Sequence, residues 1–141
     1  MKKLSYLVLI FSAFLGVGCK KDPPFFDANS IVGSWSLSEA NLGWGGYETY
    51  ESNQIVWKFG TDQQLKVTVQ EGFSVNQNIP FSNSQLGVYP YLASDSTLII
   101  DGQLFHLLLE NNLLIIDQNP ALDGIQLSFS KKNKIGATPY I

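Results

Sequence analysis

The sequence predicts an all-β fold, an antiparallel meander of about eight strands closing into a small barrel. Three observations predict it. Apolar residues alternate with polar ones over several windows, which is the period of a half-buried strand. Turn signals separate these windows at short intervals, and short connections join neighbouring antiparallel strands. No window of comparable length beyond residue 18 sustains a helical period.

The first strand is residues 31–37, where Ile31, Gly33, Trp35 and Leu37 share one parity and Ser34 and Ser36 fall on the other. Ile55, Trp57 and Phe59 form the second, and Gly60-Thr61-Asp62 turns the chain into Leu65, Val67 and Val69. Residues 87–91 form the next strand. Asp101-Gly102, a strong short-range hairpin signal, separates residues 98–100 from residues 104–109. Glu110-Asn111-Asn112 leads into residues 113–116, and Asp123-Gly124 opens the last strand through Ile125, Leu127 and Phe129. The expected inward set is Trp35, Leu37, Ile55, Trp57, Phe59, Leu65, Val67, Val69, Tyr89, Tyr91, Leu98, Ile100, Phe105, Leu107, Leu113, Ile115, Leu127 and Phe129. That is enough side-chain volume to fill an eight-stranded interior. The later strands are apolar on both parities (Ile99 beside Ile100, Leu108 beside Leu109, Ile115 between Leu114 and Ile116). An outer face of that kind needs a cover. The chain itself supplies candidates in Phe25, Phe26, Ile135 and Ile141, and another protein is the alternative.

Upstream of the barrel, Lys2 and Lys3 precede an apolar run over residues 4–15, followed by Gly16, Gly18 and the only cysteine, Cys19. A basic start, a short apolar stretch and small residues are the parts of a secretory leader, and the run is too short to span a bilayer. The arrangement resembles a bacterial lipoprotein signal peptide, and the resemblance implies a signal peptide over residues 1–18, a lipidated Cys19 with its tether over residues 19–30, the barrel over residues 31–133 and a tail over residues 134–141. In that class the cysteine thiol is alkylated by a diacylglycerol, and several acyl chains such as palmitate would anchor the protein stably where one is marginal. The alternative is an ordinary secreted protein with a free thiol, a liability in an oxidising compartment.

Composition narrows the partners. Beyond residue 18 the chain holds seven lysines, no arginine and twelve acids, a net charge of −5 with histidine neutral. No nucleic-acid partner is expected from so acidic a chain. The expected partners are a membrane, reached through the lipid anchor, a small apolar or glycan ligand, and a protein.

Two segments depart from the meander. Residues 41–53 are glycine-rich and carry Trp44, Tyr47 and Tyr50, and residues 72–84 are polar and contain Pro80. Both have the length of lids or Ω-like loops. Aromatics at a barrel rim stack on sugars or cover an apolar ligand. The speculative ligand-binding set is therefore Trp44, Tyr47, Tyr50, Trp35, Trp57 and Tyr89. The competing expectation, the more favoured of the two, is that Trp44 folds back as a plug.

The residues 31–37, Ile-Val-Gly-Ser-Trp-Ser-Leu, resemble the Gly-x-Trp opening strand of lipocalins and of the lipocalin-like domains found in Bacteroidetes lipoproteins. Ile55-Val-Trp-Lys-Phe59 with Leu65-Lys-Val67, Gly87-Val-Tyr-Pro-Tyr91, and the later apolar strands follow in the order of that family. The resemblance implies a lipocalin-like barrel on an outer-membrane lipoprotein, facing the periplasm or displayed at the cell surface. It implies no particular ligand, and the paired cysteines and C-terminal helix of true lipocalins are missing from the sequence.

Catalytic and metal chemistry find little support. His106 is the only histidine, and it is expected at or near the surface of a strand. One histidine and a lipidated cysteine cannot complete a structural zinc site. Asp117, Asn119 and Asp123 match only part of a calcium loop, with no bidentate Glu in place. Gly43-Trp44-Gly45-Gly46 lacks the Lys-Ser/Thr of a phosphate loop. Glu48 and Glu51 form a carboxylate pair whose separation the sequence does not fix. The expectation is a non-enzymatic binding module with no catalytic residue, metal or cofactor. The alternative is a protein-interaction or inhibitor module using its loops or its apolar outer face.

Overall fold

A computed structural model of the chain describes residues 31–83, 86–119, 121 and 123–132. The expected leader, Cys19, the tether and the candidate covering residues Phe25, Phe26, Ile135 and Ile141 lie outside the described residues. The elements are β1 (Gly33–Asn41), a 3-10 turn (Gly43–Gly45), β2 (Tyr47–Thr49), β3 (Ile55–Phe59), β4 (Gln64–Val69), β5 (Leu86–Ala93), β6 (Thr97–Ile100), β7 (Gln103–Glu110), β8 (Leu113–Asp117) and β9 (Gln126–Lys131).

Every neighbouring pair is antiparallel, β1 to β3 and onward in sequence to β9, and β9 returns to pair with β1. The sheet is therefore a closed eight-stranded barrel, as the meander pattern predicts, and closure removes unpaired edges. The short β2 is an addition, extending the far half of β1 through Glu39↔Thr49 and Asn41↔Tyr47. Both chain ends of the barrel, the β3–β4 hairpin and the β5–β6 and β7–β8 turns lie at one end. The long β1–β3 and β4–β5 connections lie at the other.

The first strand shows how local sequence sets this architecture. Gly33 takes φ +134, a conformation that side chains rarely adopt. Trp35 Nε1 donates 2.8 Å back to the Ile31 carbonyl, which folds the entering chain under the barrel. The Lys131 amine stands 5.2 Å over the Trp35 ring, a cation–π contact at the same end. Between Leu37 and Glu39 the ladder to β9 slips. This bulge at Ser38 reverses the parity of the strand, so Ala40 and Leu42 are buried while Glu39 and Asn41 are exposed.

The interior is filled. Trp35, Trp57, Phe59, Phe105 and Phe129 are fully buried among aliphatic neighbours from every barrel strand. Trp57 sits at the middle, with the Phe129 ring 4.9 Å away and Phe59 at 6.3 Å. Among the described residues its Nε1 has no hydrogen-bond partner, a rare condition for a buried donor. Phe59 and Tyr91 meet edge to face at 5.0 Å, and the Tyr91 hydroxyl donates to the Gly60 carbonyl at 2.7 Å. Burial, then the neighbouring Asp62 charge, raises the Tyr91 pKa.

Two inward assignments are corrected. In β8 the buried residues are Leu114 and Ile116, whereas Leu113 is exposed and Ile115 half-buried. Pairing with β9 decides this: Leu114 stands opposite inward Phe129 and Ile116 opposite inward Leu127. In β5 both expected residues face inward: Tyr91 is buried, and Tyr89, opposite buried Leu65, is half-buried against the core.

Candidate functional site

Trp44 does not fold back as the expected plug; it is exposed, and another segment stops the barrel. The β4–β5 connection covers that mouth of the barrel with Ile79, Phe81 and Ser82, all buried. Phe81 inserts its ring among Trp57 (5.9 Å), Tyr89 (4.8 Å) and Phe105 (6.0 Å). Its φ of +62 is an uncommon conformation for a bulky residue, so local backbone strain accompanies the insertion. Nothing in the sequence of residues 72–84 marks Phe81 over Phe73 as the stopper, because both are isolated aromatics in a polar stretch.

A hydrogen-bonded clasp joins this plug segment to the β1–β3 connection. Glu48 of β2 accepts from Asn76 Nδ2 at 2.7 Å and from the Tyr50 hydroxyl. The Tyr50 ring meets Phe73 edge to face at 6.1 Å. These donors hold the Glu48 carboxyl below the usual glutamate range, Tyr50 first and Asn76 second. Burial, then Glu48, pushes the Tyr50 phenol far up. A carboxylate held ionised by two donors is unsuited to act as the general acid of a glycosidase pair.

Trp44 stands out on the other side of this clasp with 97% of its surface exposed. Its loop is built rather than loose. The Gly43 amide donates to Asn41 Oδ1 at 3.0 Å, Leu42 N to the Gly46 carbonyl at 2.8 Å, and Gly45 N to the Leu42 carbonyl at 3.0 Å. Buried Leu42 roots the turn in the core. Gly43 has φ +59, and a Cβ there would collide with the Asp123 carbonyl oxygen. Hydrophobic burial therefore fixes the loop while leaving its largest apolar side chain in water. Tyr47, 61% exposed, follows on the same loop, and a hydrogen bond with Glu39 raises its phenol pKa.

Beside the turn lies an open depression of about 640 Å³ whose walls include Gln77, Asn78, Ser82 and Asn83. Asn78 abuts the Trp44 loop, since its Nδ2 would lie 3.6 Å from a Cβ at Gly45. An exposed indole, an exposed phenol and a group of side-chain amides thus share one rim. The amides were invisible as a site in the sequence, because Asn and Gln in a polar loop read only as turn formers.

No protein-family model matches this chain, and no curated protein matches it at a significant level.

The speculative ligand-binding set divides in the fold. Trp44 and Tyr47 are exposed together at the rim. Tyr50 is committed to the clasp, and half-buried Tyr89 lies against the plug, its hydroxyl 3.4 Å from the Phe81 carbonyl. Trp35 and Trp57 have no exposed surface. His106 is exposed on β7, opposite Thr97 and Asp117. Among the described residues no group of three or more His, Cys, Asp or Glu side chains is arranged to hold a metal ion.

Proposed function

We propose that this protein is a membrane-anchored, non-enzymatic recognition module that grips a glycan at the rim of its barrel rather than inside it. The observation that carries the reading is exposed Trp44 on a hydrogen-bonded turn that abuts Asn78, one of the polar side chains lining an open depression. An indole face stacks on the apolar face of a sugar ring, and amides donate to and accept from its hydroxyls. A small apolar ligand in the interior is less well supported, because Trp57, Phe81, Phe105 and Phe129 occupy that space. The anchor is Cys19, and the place is the outer membrane, periplasm-facing or at the cell surface. The leader and the resemblance to Bacteroidetes lipocalin-like lipoproteins support that placement.

The test is a screen of immobilised glycans with the protein and its Trp44→Ala variant. Binding that falls at least tenfold in the variant, with an unchanged circular dichroism spectrum, is the expected result. Glycan binding indifferent to Trp44, or none at all, contradicts the reading.

A second reading has its own observation. Leu92, Ile99 and Leu104 form an unbroken outward row across β5, β6 and β7, with Leu108 nearby, and all four are exposed. An apolar patch of this kind fits a protein partner. Crosslinking that captures a partner through this row, lost on Ile99→Lys, would favour it over the glycan.

A further inference from the structure

The opposite sector of the barrel wall concentrates positive charge. The Lys132 amide bonds the Ser34 carbonyl, Ser34 stands opposite Lys58, and Lys58 stands opposite Lys66. One row crossing from the end of β9 through β1 and β3 to β4 therefore carries three exposed lysines. None is in an ion pair among the described residues. Like charges directly opposed on a sheet are destabilising, so folding alone gives no reason to pair Lys58 with Lys66. Lys58 and Lys66 both line an open groove of about 580 Å³ that also has Val32, Phe59 and Val88 in its walls. Among the described residues Asp62 is the single acid of the groove, and its carboxylate accepts from the Gln64 backbone amide at 3.2 Å.

The groove lies at the end of the barrel where the chain enters, since Val32 and Gly33 are part of it. Trp44 follows the far end of β1. That far end carries the acids Glu39, Glu48, Asp117 and Asp123 and no lysine among the described residues, whereas the near end sets Lys58, Lys66, Lys131 and Lys132 against Asp62, Asp95 and Glu110.

We propose that this groove docks anionic phospholipid of the membrane surface, with the headgroup phosphate between Lys58 and Lys66 and the first methylenes against Val32 and Val88. The inference rests on the anchor reading, because a tether of residues 19–30 spans at most roughly 40 Å and so keeps the groove within reach of the bilayer. Lipid held here turns the basic sector to the membrane and the acidic rim with Trp44 away from it.

The experiment compares the full chain with its Lys58→Gln/Lys66→Gln variant in sedimentation with vesicles. Residues 1–18 are common to both, so any binding by the leader cancels. With phosphatidylglycerol vesicles the variant is expected to bind about thirtyfold more weakly, roughly fivefold for each lysine, and added salt should shrink the difference. With phosphatidylcholine vesicles the two chains should bind alike. A Lys58→Arg/Lys66→Arg variant should retain binding to the anionic vesicles. Equal binding of wild type and glutamine variant to phosphatidylglycerol overturns the proposal. So does competition by millimolar inorganic phosphate at constant ionic strength, which would make this a free-anion site. Membrane release of Cys19→Ala in the producing cells tests the anchor separately. If that variant stays on the membrane, the anchor reading fails, whatever the lysines do.

Discussion

Asn76 donates to the Glu48 carboxylate across 2.7 Å, and this bond ties the segment that stops the barrel to the strand beneath the Trp44 loop. Neither residue is close to the other in the chain, so the contact links the two irregular connections into one rim. Asn76→Ala should lower stability by about 1 kcal/mol, the usual net worth of one hydrogen bond to a partly solvated charge. Chemical denaturation reads that change, and hydrogen exchange should quicken first at Phe73 and Ile79.

The same carboxylate gives an acid limb to stability. The folded pKa of Glu48 is lowered by Tyr50 and Asn76. Its contribution is therefore present above the ordinary glutamate pKa and lost as pH falls through the lower folded value. Melting curves of wild type and Glu48→Gln should differ most near neutral pH and converge in acid. A gap that widens as pH falls would contradict the clasp.

The two buried tryptophans should respond differently to the same change. Trp35 Nε1 bonds the Ile31 carbonyl and its ring carries Lys131, whereas Trp57 Nε1 has no partner among the described residues. Trp35→Phe loses a bond and strands a carbonyl; Trp57→Phe removes an orphan donor. Trp35→Phe should cost about 1–2 kcal/mol more, measured by urea denaturation of both variants.

Period-two patterning made the closed meander legible, and most of the inward set with it, because burial on one face is what alternation encodes. It gave way where both parities are apolar. Residues 113–116 read equally well in either register, and only the pairing of Leu114 with Phe129 chooses between them. The bulge at Ser38 was hidden for a related reason, since a serine gives no sign that the ladder slips. At the rim, the aromatic residues of the β1–β3 connection were visible as candidates, but their division into display and packing was not. The turn that carries Trp44 packs Gly43 closely against the Asp123 carbonyl, a contact between segments distant in the chain. The stopper, Phe81, is selected by its fit against Trp57 and Phe105, which no local pattern records.

The corrected register of β8 has a direct consequence. Leu114→Asp places a charge in the core and should unfold the domain, a cost above about 4 kcal/mol. Leu113→Asp sits on the outer wall and should change stability by about 0.5 kcal/mol or less. Thermal melts of the pair decide between the two parities.

The shape of the Trp44 turn should be as sensitive as its indole. Gly43→Ala forces a side chain into φ +59 and against the Asp123 carbonyl. It should cost about 1–3 kcal/mol and weaken glycan binding while leaving Trp44 itself intact. Parallel melting and glycan-binding measurements on this variant check both effects.

The most direct test of recognition from outside a filled barrel is a map of backbone amide shifts during titration with a bound glycan. Recognition at the rim predicts shifts concentrated at residues 43–47 and 76–83. Shifts centred instead on interior positions such as Leu37, Val67 and Phe129 would contradict it.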